Sequence, residues 1–326
     1  MTTPESLLRA ARRILLITHI APDGDAIGGL LGLGKALCRA GKQVTVSCSD
    51  PVPTRFAYLP GYADIVSQAG GPFDLVVSLD CGDLERVGRI YRADEWRDVP
   101  LLNIDHHVTN TRFGTHHWVD ASYVATSEMA LELCDRLGLP VDTDIATCLL
   151  YGIIGDTLAL RTDNVTPALL GKVMRLMQAG APLADIIDQV FNRRPFNLLR
   201  AWQRTLSTMR LDAERGVIWA VLSRPARHEI GWPDTDLQGL VNFLLSAEEA
   251  NLSAVLAEKD DGRVEVSLRA RPSFDVSAVA LALGGGGHPQ AAGSTMDGPL
   301  DAVVERVVAA LKAQISTRSV QSQHEP

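Results

Sequence analysis

Short strand-like runs recur along the first half of the chain, at residues 14–17, 43–48, 74–79 and 101–104. Most of their positions are apolar, as in strands buried on both faces of a sheet. Residues 30–40, 125–137 and 144–150 carry apolar side chains at helical spacing, and Gly41 closes the first of these stretches. Strands alternating with helices predict an α/β fold built on a parallel sheet flanked by helices. Past Gly152 the pattern stays helical through 166–178 and 183–191, and 194–209 reads as a connecting helix with much polar surface. The pattern then changes. Residues 217–222, 252–258 and 264–269 read as strands, with Asp260-Asp261-Gly262 as a hairpin turn between the last two. A short helix at 276–283, a glycine run at 284–287 and an amphipathic helix at 301–315 follow. The predicted organisation is an N-terminal parallel-sheet domain over 1–192 and a connecting helix over 193–213, with the boundary near Arg200. A smaller C-terminal α/β domain over 214–316 and a disordered tail over 317–326 complete it. No repeat or low-complexity tract interrupts this plan.

Chemistry-bearing residues cluster where the predicted strands end. Thr18-His19-Ile20-Ala21-Pro22-Asp23-Gly24-Asp25 follows the first strand, and Asp80-Cys81-Gly82-Asp83 the third. Asp105-His106-His107 follows the fourth. The carboxyl ends of parallel strands share one edge of the sheet, the usual ligand site of open α/β folds. A fourth cluster, Gly155-Asp156-Thr157, ends an apolar helical stretch, where a carboxylate is costly unless paired or bound to a cation. Each cluster has an ordinary alternative. Asp25 or Asp80 alone reads as a cap or turn residue. Together, His19, Asp23, Asp25, Asp80, His106 and Asp156 supply enough ligands for two divalent ions, and without metal their four carboxylates would repel one another. Mixed imidazole and carboxylate donors suit Mn, with Mg as the alternative. Two ions roughly 3.5–4 Å apart are a common device for hydrolysing phosphate esters by in-line attack. Adjacent histidines diverge, so one can meet metal and the other substrate, and Asp105 can orient a histidine from behind. The pair His116-His117 reads as loop residues without a site role. In the C-terminal half, Gly284 to Gly287 precede His288-Pro289-Gln290-Ala291-Ala292-Gly293. Bare glycines present N–H groups to an anion, yet neither a P-loop nor a dinucleotide fingerprint is present. Arg269, at a nearby strand end, joins His288 as a candidate phosphate binder; Arg271 reads as surface charge.

Composition narrows the ligands. The 326 residues are 46% hydrophobic and 21% charged, as expected of a globular protein of two domains. No apolar run approaches the ~20 residues that span a bilayer. The first eleven residues lack the apolar core of a secretory leader. Five cysteines without a C-x-x-C predict reduced thiols in a cytoplasm. A formal net charge of −8 disfavours long duplex nucleic acid as the main ligand.

These stretches together resemble the DHH phosphoesterase superfamily: His19-x-x-Pro22-Asp23-Gly24-Asp25, Asp80, Asp105-His106-His107 and Gly155-Asp156-Thr157. The glycine run through Gly293 resembles the associated DHHA1 substrate domain, so the likeness covers nearly the whole chain. Within the superfamily the chain looks like the bacterial NrnA-type group, which hydrolyse short oligoribonucleotides to mononucleotides and dephosphorylate 3'-phosphoadenosine 5'-phosphate (pAp). The resemblance implies that His19, Asp23 and Asp80 hold one Mn, and that Asp25, Asp80, His106 and Asp156 hold the other, with Asp80 bridging. It implies that His107 contacts the scissile phosphate. Arg269, Gly285, Gly286, Gly287 and His288 would bind a terminal phosphate from across an interdomain cleft. Short RNA and pAp would be the partners, with a homodimer possible. One departure is local: the family often has a glycine and an aromatic after Asp156-Thr157, whereas Leu158-Ala159-Leu160 stand here. Phosphodiesterases of linear or cyclic dinucleotides are the competing reading. RecJ-type exonucleases carry extra domains, and the related pyrophosphatases carry a serine-arginine-lysine-lysine motif that is absent here. A nucleotide sensor on a dead catalytic domain would be free to lose Asp25 or Asp156.

Overall fold

The computed structural model describes residues 2–232, 235 and 237–321, with side chains described up to 315. The chain divides into two compact units, Met1–Arg193 and the residues from Arg194 onward.

The first unit contains α1 (Pro4–Ala10), β1 (Arg13–Thr18), α2 (Gly24–Arg39), β2 (Gln43–Cys48), β3 (Leu75–Leu79), β4 (Leu101–Asp105) and β5 (His116–Val119). Helices α3 (Thr126–Leu137), α4 (Thr143–Asp156), α5 (Pro167–Gln178) and α6 (Leu183–Ile187) follow. The five strands are parallel throughout, in the order β2-β1-β3-β4-β5. The chain leaves β1 toward β2 on one side and returns to β3 on the other. The switch point, where such sheets bind ligands, therefore lies between β1 and β3.

Alternate residues of β1 serve two cores. Ile14 and Leu16 pack with α2, α3 and α4. Leu15 and Ile17 pack with Val76, Val87, Ile90 and Trp96. Both faces are buried, and the α-helices among the described residues of this unit pack on the first. On the second lie short turns such as Glu85–Ile90, because the β2–β3 and β3–β4 connections lack a long apolar stripe of helical period. Helix α2 starts at Gly24, earlier than the apolar pattern indicates, because the Asp23 carboxylate accepts from the Asp25 and Ala26 N–H groups and caps it. His116 and His117, expected in a loop, form β5 beside Leu102 and Asn103 of β4. Four half-exposed residues at a sheet edge leave too little apolar signal to be read as a strand.

The second unit comprises α7 (Phe196–Leu206), β6 (Arg210–Asp212), β7 (Val217–Leu222), α8 (Arg224–Glu229), α9 (Leu240–Leu244), β8 (Leu252–Glu258), β9 (Val264–Ala270), α10 (Val276–Ala282), β10 (Gly286–His288), β11 (Ala291–Met296) and α11 (Leu300–Gln321). Its sheet runs β10-β11-β9-β8-β7-β6, antiparallel except for the β7–β8 pair. Helix α7, at the place expected for a connecting helix, buries Leu198 and Ala201 in this unit's own core with Leu240 and Val255. Helices α10 and α11 cover the other face through Val279, Ala280, Val303 and Val307. The backbone of α11 continues to Gln321, past the 301–315 span that the apolar pattern marks; residues 322–326 of the expected tail lie outside the described residues. Among the described residues no helix is long and apolar enough to cross a membrane, and all five cysteines are free thiols.

Candidate active site at the carboxyl edge of the parallel sheet

His19 leaves the end of β1 almost fully buried. Its Nδ1 lies 2.7 Å from the Ile20 carbonyl and 3.0 Å from Arg86 Nη2. The two contacts make opposite demands: a carbonyl needs a proton on that nitrogen, a guanidinium needs a lone pair. The shorter contact assigns the proton to Nδ1. Nε2 then faces Asp23 Oδ1 at 3.8 Å and Asp80 Oδ2 at 3.5 Å. A backbone contact that fixes the tautomer of a ligand histidine is the usual supporting arrangement at metal sites.

Asp80 follows β3 with φ +62, a left-handed conformation rare for a residue with a side chain. Its two oxygens look in different directions. Oδ2 faces His19, while Oδ1 lies 3.7 Å from His106 Nε2 and 3.6 Å from His107 Nδ1. His106 Nε2 in turn lies 3.2 Å from Asp156 Oδ2 and 3.9 Å from Asp25 Oδ2.

Asp25 and Asp156 come from sequence-distant helices, and glycines let those helices close in. A Cβ on Gly28 of α2 would stand 2.5 Å from the Cys148 carbonyl of α4. A Cβ on Gly152 would stand 2.0 Å from Ser127 Oγ and 2.7 Å from Asp25 Oδ1. The antiparallel crossing sets the first turn of α2, with Asp25, beside the last residue of α4, Asp156. Asp25 also meets the start of α3, accepting from Thr126 N at 2.6 Å and Ser127 N at 2.8 Å.

The ligand-type atoms thus gather into overlapping trios. His19, Asp23 and Asp80 form one, Asp25, His106 and Asp156 a second, and Asp80, His106 and His107 a third, each within 4.8 Å. Four carboxylates with two or three imidazoles fit a pair of divalent ions, both in donor chemistry and in charge. The electrostatics of the metal-free cluster lead the same way. Burial alone would depress the His19 and His106 imidazoles, but hydrogen bonds and charge from the surrounding aspartates outweigh it and carry both up to about 10. Burial pushes the Asp25 carboxyl well up, helped by the charges of Asp80 and Asp156. Burial also lifts Asp156, to about 6, with His106 opposing and the charges of Asp23 and Asp80 adding to the rise. Asp80 moves down against its burial, because three imidazoles surround it.

His107 has a separate anchor. Its Nδ1 lies 2.7 Å from Asp105 Oδ1, and the fully buried Asp105 also accepts from Asn110 Nδ2 at 2.5 Å. That pairing fixes the imidazole and turns Nε2 away from Asp105.

In the second unit, Arg269 of β9 pairs with Ala291 of β11, which pairs with His288 of β10. Directly opposed residues project from one face of a sheet, so Arg269 and His288 flank Ala291 on a common rung. The neighbouring rung carries Ser267, Gly293 and Gly286 on that same face. The alternate residues Val266, Leu268 and Ala292 lie in the core beneath α10 and α11. Gly285 and Gly287 are required by packing: a Cβ on either would strike β11, at 2.0 Å from the Gly293 carbonyl and 2.6 Å from the Ala291 carbonyl. Gly287 also has φ +138. Gly286 would meet nothing within 4 Å and leaves its surroundings open.

Residues 13–153 match the family model described as the DHH family, N-terminal domain, and residues 215–317 match the DHHA1 domain. A Thermus thermophilus protein named bifunctional oligoribonuclease and PAP phosphatase NrnA is 36% identical over 93% of this chain and 90% of its own length. The chain belongs to the DHH family. A Bacillus subtilis relative of the same name is 25% identical over 87% of this chain and 89% of its own. Among solved structures, an exopolyphosphatase-related protein from Bacteroides fragilis superposes with a TM-score of 0.87 at 24% identity, covering 95% of each chain. RecJ in complex with Mn2+ from Thermus thermophilus gives 0.52 at 17% identity, over 97% of this chain and 56% of its own. The latter two likenesses concern the fold.

The DHH match contains His19, Asp23, Asp25, Asp80, Asp105, His106 and His107; Asp156 stands three residues beyond it, and the DHHA1 match contains Arg269 and His288. Residue patterns do not single out Thr126, Ser127 or Arg86. For Thr126 and Ser127 the one legible signal is the polar start of an apolar helix at 126–128, which reads equally as an ordinary helix N-terminus. His116 and His117 join none of the trios found among the described residues.

Proposed function

We propose that this DHH-family chain is a phosphoesterase of two divalent ions, Mn before Mg, working in the cytoplasm. It hydrolyses very short oligoribonucleotides to mononucleotides and removes phosphate from pAp. The observation that carries the reading is Asp80, whose two oxygens face two different trios of ligand-type side chains at the switch point of the sheet. His19, Asp23 and Asp80 would hold one ion; Asp25, Asp80, His106 and Asp156 would hold the other. When bound, the ions supply Lewis acidity toward a phosphoryl oxygen and lower the pKa of the attacking water. The remaining work falls to the chain. His107, locked by Asp105, offers its outward nitrogen to the scissile phosphate. The buried carboxylates fix the site's geometry in advance, so little rearrangement accompanies the reaction. Arg269 and His288 bind a terminal phosphate over the small residues Gly286, Ala291 and Gly293, which let it lie close to the sheet. The names of the relatives support this choice of substrates.

The test is a product profile of the purified chain with Mn on pAp, linear dinucleotides, a cyclic dinucleotide and longer RNA. Expected are phosphate from pAp and mononucleotides from the shortest RNA, and no turnover in excess chelator. Turnover in chelator overturns the reading. Preference for the cyclic dinucleotide moves the chain to the competing phosphodiesterases, and efficiency that climbs with RNA length moves it to a RecJ-like exonuclease.

A further inference from the structure

Helix α3 begins in an unusual way. Its N-cap residue, Ala125, offers no side-chain oxygen. The first N–H groups of the helix donate instead to a carboxylate from another helix: Thr126 N and Ser127 N reach Asp25 Oδ2 and Oδ1. Asp25 is thus both a ligand-type residue and the cap of α3. The Thr126 hydroxyl, which in an ordinary first turn faces solvent or its own helix, donates to Asp80 Oδ1 at 3.0 Å. Thr126 is completely buried. One residue therefore ties together two carboxylates, one through its backbone and one through its side chain.

The choice of oxygen gives this tie a consequence. Oδ1 of Asp80 faces His106, whereas Oδ2 faces His19. A donor fixed on Oδ1 sets the carboxylate's rotation about its own bond and leaves Oδ2 directed at the first trio. We propose that Thr126 is a positioning residue for the bridging carboxylate, and that its hydroxyl supports the ion held by Asp25, His106 and Asp156 more than the ion held by His19 and Asp23. This rests on the two-ion reading above. Without the hydroxyl, Asp80 still lies within reach of His19, but nothing on the α3 side sets the angle at which Oδ1 meets the second ion. Partners behind metal ligands commonly change affinity by ~10–100-fold when removed.

The test is calorimetric titration of Mn into the full chain, wild type against Thr126→Val and Thr126→Ser, with electron paramagnetic resonance at each stoichiometry. Valine keeps the shape, and every variant keeps the backbone N–H to Asp25. Wild type should take up two ions and give a spin-coupled pair. Thr126→Val should keep one ion near wild-type affinity, weaken the other at least ~10-fold, and show the six-line signal of isolated Mn at one equivalent. Thr126→Ser should restore the pair, which a merely structural defect at α3 would not predict. If circular dichroism shows Thr126→Val unfolded, Thr126→Ala is titrated in its place. The proposal is overturned if the valine or alanine variant binds both ions like wild type, if both ions weaken equally, or if serine is as defective as valine. A wild-type chain that takes up fewer than two ions removes the two-ion reading itself and is distinguished from these outcomes by the wild-type titration alone.

Discussion

Asp80 concentrates the site's demands in one residue: a left-handed backbone, complete burial, and neighbours on both oxygens. Such a conformation costs of order 1–3 kcal/mol and persists only where the surroundings enforce it. Asp80→Ala keeps the backbone demand and deletes the bridge, so turnover should fall at least ~10²-fold. Calorimetry should register loss of both tight Mn sites, and a fully active alanine variant would contradict the assignment. The imidazoles supply a second prediction. His19 and His106 hold their protons up to about 10 in the metal-free fold, against an ordinary 6.5. A folded pKa above the unfolded one stabilises fully below the unfolded value, and that contribution is lost as pH climbs to the folded value. The metal-free chain should therefore lose Tm between pH 7 and 10, while Mn affinity rises over the same window because fewer protons must be displaced. Scanning calorimetry in chelator and in Mn at several pH values checks both signs; a Tm in chelator that rises with pH would reverse the account.

At the scale of elements, the α2–α4 crossing sets the spacing of Asp25 and Asp156, and the β9–β11–β10 rung sets that of Arg269 and His288. Gly152 has no room for a Cβ, with Ser127 Oγ at 2.0 Å and Asp25 Oδ1 at 2.7 Å from where it would sit. Gly152→Ala should destabilise the first unit by about 1–3 kcal/mol, the usual cost of overpacking. It should also reduce Mn affinity, since the displaced groups belong to the cluster. Urea denaturation and metal titration measure the two effects, and a variant of wild-type stability would show that the helices separate cheaply. Arg269 lies on the second unit's sheet, on a rung with His288. Arg269→Ala should cost about 1.5–3 kcal/mol of phosphate binding, the scale of a charge-assisted hydrogen bond. It should raise KM and leave Mn binding unchanged; loss of Mn instead would place Arg269 in the wrong role.

At the scale of the molecule, a net charge of −8 limits how long a polyanion the chain can hold. Strands bound along their length show steep salt dependence, roughly 0.7 logarithmic units of affinity per tenfold salt for each phosphate neutralised. If Arg269 and His288 bind the terminal phosphate as proposed, the slope should correspond to one or two phosphates. The efficiency kcat/KM should level off after the first few nucleotides. Measuring kcat/KM against RNA length and salt tests this directly, since a steep slope on longer strands would reveal a basic track elsewhere on the surface.

The sequence by itself determined the strand ends and the residues standing on them. A short apolar run ending at His19, Asp80 or Asp105 leaves little freedom: the run must be buried, and the polar residue at its end must emerge at the sheet edge. The helices with strong apolar stripes were legible for a similar local reason, whereas Gly286–His288, which reads from sequence as the end of a glycine loop, pairs with β11 as strand β10. Only the tertiary structure decided which oxygen of Asp80 faces which histidine, that Thr126 holds one of them, and that Asp25 caps α3. Thr126 and Asp80 stand 46 residues apart and meet through a single hydrogen bond, a contact with no periodicity to announce it. The same holds for β5, whose four half-exposed residues become a strand only because β4 offers an edge to pair with. It holds for α7 as well, where burial of Leu198 and Ala201 against the second sheet decides the helix's place. Local pattern fixes what a segment can bury; the partner against which it is buried is a property of the folded chain.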